Sequence, residues 1–209
     1  MRNRILLLLL LFLPMAASAQ IILVVGDSLS AAYGIPVEQG WVALLQQRLD
    51  SDGYPYRLVN ASISGDTTAN ARARLQQTLA EQSPAVVMLA LGGNDGLRGL
   101  SLEAMKTNLA AMIDSARNAG ARVLLIGVQL PPNYGPRYTE SFQAVYRDLA
   151  REFNLTLLPS IVDGIGTDRA LMQADGIHPN AAAQPLICDR VRDALFPLLA
   201  RPGTQGTSG

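Results

Sequence analysis

The sequence predicts an α/β protein in three layers, a parallel sheet of five strands held between two layers of helices. Two observations carry that expectation. Apolar runs recur at Ile21 to Val25, Tyr56 to Val59, Ala85 to Leu91, Arg122 to Val128 and Leu155 to Leu158, and several are apolar without alternation, as parallel strands covered on both faces are. Amphipathic segments separate them, and an alternation of strand and helix builds a doubly wound parallel sheet.

The helices follow in order. Trp41 to Leu49, Thr67 to Glu81, Leu102 to Ala119 and Tyr138 to Phe153 have helical spacing, with Thr67 and Ser101 as N-caps and Gly120 as a C-terminal stop. A last helix sets Cys188, Val191, Leu195 and Leu198 in register, which makes the single cysteine core filler. Trp41, at the start of its helix, is also expected in the core. In the flavodoxin-like strand order 2-1-3-4-5 the first and third strands flank the point where strand order reverses, and sites in such sheets lie there, beyond the carboxyl ends of the strands.

The two ends of the chain read differently. Arg2 and Arg4 precede the apolar run Ile5 to Leu13, and Ala17-Ser18-Ala19 follows, so residues 1–19 have the pattern of a secretory signal peptide. That run is too short to span a bilayer, and no cysteine follows the cleavage site to carry a lipid. An exported protein, periplasmic or secreted and without a stable membrane anchor, is expected. Removing Arg2 and Arg4 from 17 Lys plus Arg leaves fifteen against 17 Asp plus Glu, a balance of about −2, which offers no basic footprint for nucleic acid. Residues 20–200 form one domain's worth of chain, and the polar, Gly-rich ending 201–209 has the composition of a disordered tail. Nothing specifies an oligomer, and a monomer is the expectation.

The chemistry turns on one residue. His178 is the only histidine, so a histidine-activated serine must draw its imidazole from position 178, since a hydroxyl is a weak nucleophile until a neighbouring base takes its proton. Ser28 follows the first strand in Gly26-Asp27-Ser28-Leu29, and Asp175, three residues before His178, is a suitable carboxylate to orient the ring. Acyl transfer also needs donors where oxyanion charge develops. Asn94, in Gly92-Gly93-Asn94-Asp95 after the third strand, offers an amide that donates without ionising, and Gly65, in Ser64-Gly65-Asp66 after the second, lets an acyl oxygen approach the main chain. Each of these is also an ordinary turn sequence on its own. Asp27, Asp66 and Asp95 read as carboxylates that fix their loops. Lys106 is the only lysine and lies far from every motif, and one histidine with one cysteine cannot build a usual structural zinc site. No metal or cofactor is implied.

Four blocks in this order, Gly-Asp-Ser28-Leu, Asn60-Ala-Ser-Ile-Ser-Gly65-Asp, Gly-Gly-Asn94-Asp and Asp175-Gly-Ile-His178-Pro, resemble the SGNH (GDSL) hydrolases over about Ile21 to Leu199. The resemblance implies a Ser28-His178-Asp175 triad, with the Ser28 and Gly65 N–H groups and the Asn94 side chain as oxyanion hole. The longer stretches Leu91 to Gly99, Leu130-Pro-Pro-Asn-Tyr-Gly135 and Asp175 to Asn180 are similar to exported bacterial esterases with acyl-CoA thioesterase, lysophospholipase and arylesterase activity, which implies small-molecule acyl esters and thioesters as substrates. The segments 69–74 and 164–173 are where relatives are expected to differ. Ser28 does not sit in a Gly-x-Ser-x-Gly elbow, which separates the chain from α/β-hydrolases. Three readings compete: a serine esterase, an SGNH deacetylase of exported glycans, and a non-enzymatic flavodoxin-like binding module. The full set of nucleophile, base, orienting group and donors speaks against the third. The apolar Leu130-Pro131-Pro132 loop, taken as substrate-binding, favours an acyl chain over a sugar.

Overall fold

A computed structural model describes residues 19–200; residues 1–18, nearly all of the expected signal peptide, and the ending 201–209, the expected tail, lie outside the described residues. Five strands, β1 (Gln20–Gly26), β2 (Tyr56–Asn60), β3 (Val86–Ala90), β4 (Arg122–Ile126) and β5 (Thr156–Leu158), form one sheet in the order β2-β1-β3-β4-β5, with every pairing parallel. The order and the strand positions are those expected from the apolar runs. β3, β4 and β5 are shorter than their runs, β3 by a residue at each end, β4 by two residues at its carboxyl end and β5 by one at its start. At the end of β4, Gly127 donates to Leu158 O at 2.8 Å and accepts from Ile161 N–H at 3.1 Å, crossing into the loop after β5.

Side chains on a strand point alternately to the two faces, and here both faces are apolar. Leu23, Val25, Val87, Leu89, Val123 and Leu125 pack against α2 (Thr68–Gln82), α4 (Leu102–Asn118) and α5 (Pro136–Glu152). Their neighbours Ile22, Val24, Val86, Met88, Leu124 and Ile126 pack against α1 (Trp41–Ser51) and α6 (Gln184–Leu195). Burial on both sides is why these runs show no alternation of apolar and polar residues, and each fully buried aliphatic chain contributes about 2 kcal/mol.

The caps lie where the sequence puts them. Thr67 Oγ1 accepts from Asn70 N–H at 3.3 Å, Ser101 Oγ accepts from Ala104 N–H at 3.2 Å, and Gly120 follows α4 with φ +83°. Helix α5 begins two residues before its expected start because Pro136 takes the first helical position, where its missing N–H goes unmissed. The sequence reading has no counterpart for α3 (Gly93–Leu97), a single turn inside the Gly-rich block after β3. Cys188 and Trp41 are buried in the core as expected. Trp41 does more than fill space: its indole N–H donates to Leu29 O at 3.0 Å and its backbone N–H to Gln184 Oε1 at 3.0 Å, tying the chain beside Ser28 to two helices.

Candidate active site

The loops after β1, β2 and β3 emerge together at the carboxyl edge of the sheet, joined by the segment 172–180 ahead of α6. Ser28 leaves β1 in a run of turns in which Asp27 O accepts from Ser30 and Ala31 N–H. Across from it, Asp175 Oδ1 accepts from the N–H groups of Ile177 and His178 at 2.9 and 3.0 Å, an Asx turn that fixes the ring relative to its own carboxylate. Asp175 Oδ2 lies 2.6 Å from His178 Nδ1, and His178 Nε2 lies 2.9 Å from Ser28 Oγ. The three side chains form one continuous hydrogen-bonded line.

The carboxylate at the end of that line is kept charged. Partial burial pushes the Asp175 carboxyl up, but the N–H and ring of His178 and the N–H of Ile177 together bring it down to about 2. Asp27, next to the serine, is the opposite case. Its side chain is buried, and burial pushes its carboxyl up to about 6 against the opposing pull of the Leu29 N–H and the His178 charge. Its Oδ1 accepts from Leu29 N–H at 3.1 Å, and its Oδ2 faces Asn94 Nδ2 at 3.5 Å.

Asn94 stands in the first turn of α3, which places its amide beside Asp27, the neighbour of Ser28 in the chain. The amide donates to Asp66 O at 3.0 Å and so faces the turn that carries Gly65. That turn is closed by the Asp66 N–H to Ile63 O bond at 3.1 Å and held from outside by Arg98 Nη2, 3.0 Å from Gly65 O. No protein acceptor takes the Ser28 or the Gly65 N–H among the described residues. The start of α3 depends on Gly92: a Cβ there would stand 2.3 Å from the Tyr146 hydroxyl, and its φ is +116°.

A cleft of about 580 Å³ opens over these groups. Ser28, Asn94, His178, Leu130 and Pro131 line it, whereas Asp175 lies behind the imidazole and Gly65 lies outside the lining. The sequence reading missed the opposite wall, Val162, Gly164 and Thr167 from the loop after β5. The signal was present, a Gly-rich segment directly following a strand, and the carboxyl-edge rule would have placed it. The aspartates hold their loops: Asp95 Oδ2 and Oδ1 accept from Thr68 N–H at 2.9 Å and Thr68 Oγ1 at 2.6 Å, and Asp66 pairs with Arg74 at 2.8 Å. Asp27 fixes its turn too, but its burial and its place beside Asn94 went unread.

The arrangement suits nucleophilic attack assisted by a general base, with free donors to one side. Residues 24–185 match the model of the GDSL-like lipase/acylhydrolase family. The chain is 55% identical over 190 residues to esterase TesA of Pseudomonas aeruginosa, covering 91% of this chain and 94% of that one. It is 43% identical over 184 residues to thioesterase 1/protease 1/lysophospholipase L1 of Escherichia coli K12, covering 88% and 87%. The crystal structure of TesA superposes with a TM-score of 0.85 at 56% identity, over 86% of this chain and all of that one. With its four sequence blocks gathered at one sheet edge, the chain belongs to the GDSL-like lipase/acylhydrolase family of hydrolases.

Proposed function

We propose that the protein hydrolyses small-molecule acyl esters and thioesters through an acyl-enzyme on Ser28. The observation that carries this reading is the unbroken line Asp175–His178–Ser28 at 2.6 and 2.9 Å, opening into the cleft. Ser28 Oγ attacks the acyl carbonyl while His178 Nε2 takes its proton, and Asp175 holds the Nδ1–H and stabilises the imidazolium. The oxyanion is met by the Ser28 and Gly65 N–H groups and the Asn94 amide, each worth a few kcal/mol of barrier. His178 then gives the proton to the departing alkoxide or thiolate. A water, deprotonated by the same nitrogen, attacks the acyl carbon, and Ser28 leaves with the proton restored.

The lining supports an acyl chain over a sugar. Leu97, Val128, Leu130, Pro131, Pro132 and Val162 contribute apolar surface, and no Tyr, Trp or Phe stands among the lining residues to platform a glycan. The names of the relatives, esterase and thioesterase 1/lysophospholipase L1, point the same way. Purified enzyme should turn over p-nitrophenyl esters of graded chain length, acyl-CoA and lysophospholipid, and spare acetylated oligosaccharide; the reverse preference would replace the esterase reading with a deacetylase. Export to the periplasm or medium and a monomeric state belong to the same proposal. Cleavage after Ala19 should leave Gln20 first, and mass spectrometry finding Met1 on the exported form would refute it.

A further inference from the structure

Ser28 and His178 ride on separate loops, and those loops meet at the side chain of Gln173. Its Nε2 donates to Tyr33 O at 2.8 Å and to Pro179 O at 3.1 Å. Its backbone N–H donates to His178 O at 2.8 Å, and its carbonyl accepts from Gly176 N–H at 3.0 Å. On the serine side, Tyr33 N–H donates to Ser28 O at 3.3 Å, and the Tyr33 ring lies against the His178 imidazole with centroids 4.5 Å apart and planes tilted by 39°. One carboxamide is thus a single link from the residue that holds Ser28 and a single link from the backbone of His178.

The contact is built for this residue type. A carboxamide brings two N–H donors to two carbonyl oxygens, which a carboxylate cannot do. The approach also requires a glycine beside Tyr33, since a Cβ on Gly34, at φ +75°, would stand 2.2 Å from Gln173 Oε1. Gln173 does not line the cleft and touches neither Ser28 Oγ nor His178 Nε2.

We infer that Gln173 is the positioning residue of the Ser28–His178 pair, its amide pinning the loop of the serine to the loop of the histidine so that the bond between them is set before substrate arrives. The inference rests on the reading of Ser28 as nucleophile and His178 as base. Direct general-base transfer needs the two atoms within about 2.6–3.2 Å, and a displacement of about 1 Å can cost about a hundredfold in rate.

The test compares Gln173→Ala and the isosteric Gln173→Glu with wild type on p-nitrophenyl butyrate, counting competent molecules by titration with an organophosphonate. Both variants should lose about ten- to a hundredfold in kcat per titrated site, with KM within about twofold of wild type. Gly34→Ala should fall in the same way, and the double variant with Gln173→Ala should fall well short of the product of the two losses, because the clashing oxygen is gone. The single histidine makes its ring signals unique in a nitrogen-15 spectrum. The Nε2 signal should shift in both Gln173 variants, as it should in Ser28→Ala, while the Nδ1–H bonded to Asp175 stays. Wild-type kcat per titrated site in both Gln173 variants overturns the inference, as does a loss confined to KM or to the number of titratable sites. Ser28→Ala, run alongside, separates the two readings: if it still turns over ester, the nucleophile assignment itself fails; if it is inactive while the Gln173 variants run at the wild-type rate, only the positioning role falls.

Discussion

Asp27→Asn should make the protein's stability less dependent on pH, and the size of the effect follows from burial. A carboxyl with a folded-state pKa of about 6 and an ordinary value of 3.8 is linked to about 3 kcal/mol of stability. Because the folded value is raised, that contribution is fully present below pH 3.8 and is lost as pH rises through 6. The carboxamide of the variant carries no such charge. It keeps an oxygen for Leu29 N–H but turns an NH2 toward Asn94 Nδ2, where Asp27 Oδ2 sits at 3.5 Å in the wild type, a donor facing a donor that costs about 1 kcal/mol at every pH. The difference in stability, wild type minus variant, should therefore decline by about 2.4 kcal/mol between pH 4 and pH 7, or about 5–10 °C in Tm for a domain of this size. Asp66 and the other acidic groups are common to both proteins and cancel. Asp175, held near 2, titrates below the window. Thermal melts followed by circular dichroism at half-unit pH steps provide the assay. A difference constant to within about 1 kcal/mol across that range would refute the argument that burial raises the Asp27 carboxyl to about 6 in the folded protein.

Ser28→Ala should reduce kcat by several orders of magnitude at an unchanged melting temperature, and Asn94→Ala by about a hundredfold with a smaller effect on KM; a well-folded variant of either that hydrolyses esters at the wild-type rate removes that residue from the mechanism. Asp95→Ala is the contrast, since it strips Thr68 of two buried acceptors at 2.9 and 2.6 Å and should lower stability by about 3 kcal/mol, read from denaturant melts. Activity should survive prolonged treatment with chelators and be lost stoichiometrically to an organophosphonate; sensitivity to the first with resistance to the second would reject a serine hydrolase.

The sheet was legible because its strands are buried on both faces, so runs such as Ile21 to Val25 announce themselves without any tertiary information. His178 was legible by elimination, since a chain with one imidazole leaves no choice, and Ser28 and Asp175 through the resemblance of their blocks to the SGNH hydrolases. What stayed hidden depends on distances between loops. Gln173 is an ordinary polar residue in a variable-looking segment, and only the fold brings its amide to Tyr33, 140 residues earlier. Asp27 looked like any Asx turn, because a carboxylate in a Gly-Asp-Ser turn gives no sign of whether water reaches it. Helix α3 was missed since its five residues, Gly93 to Leu97, include two glycines, and its single turn is set by Gly92 and by packing against Tyr146, not by propensity.

The separation of Ser28 from His178 by 150 residues has a consequence for the order of synthesis. On the proposed mechanism the nucleophile is among the earliest parts of the domain to leave the ribosome and its base is among the last. Through most of translation a growing chain carries an unactivated hydroxyl, with no imidazole anywhere in the polypeptide to take its proton. On that mechanism hydrolytic capacity arrives late, once residue 178 has been made, and a fragment ending before it should be catalytically silent however well its strands have paired.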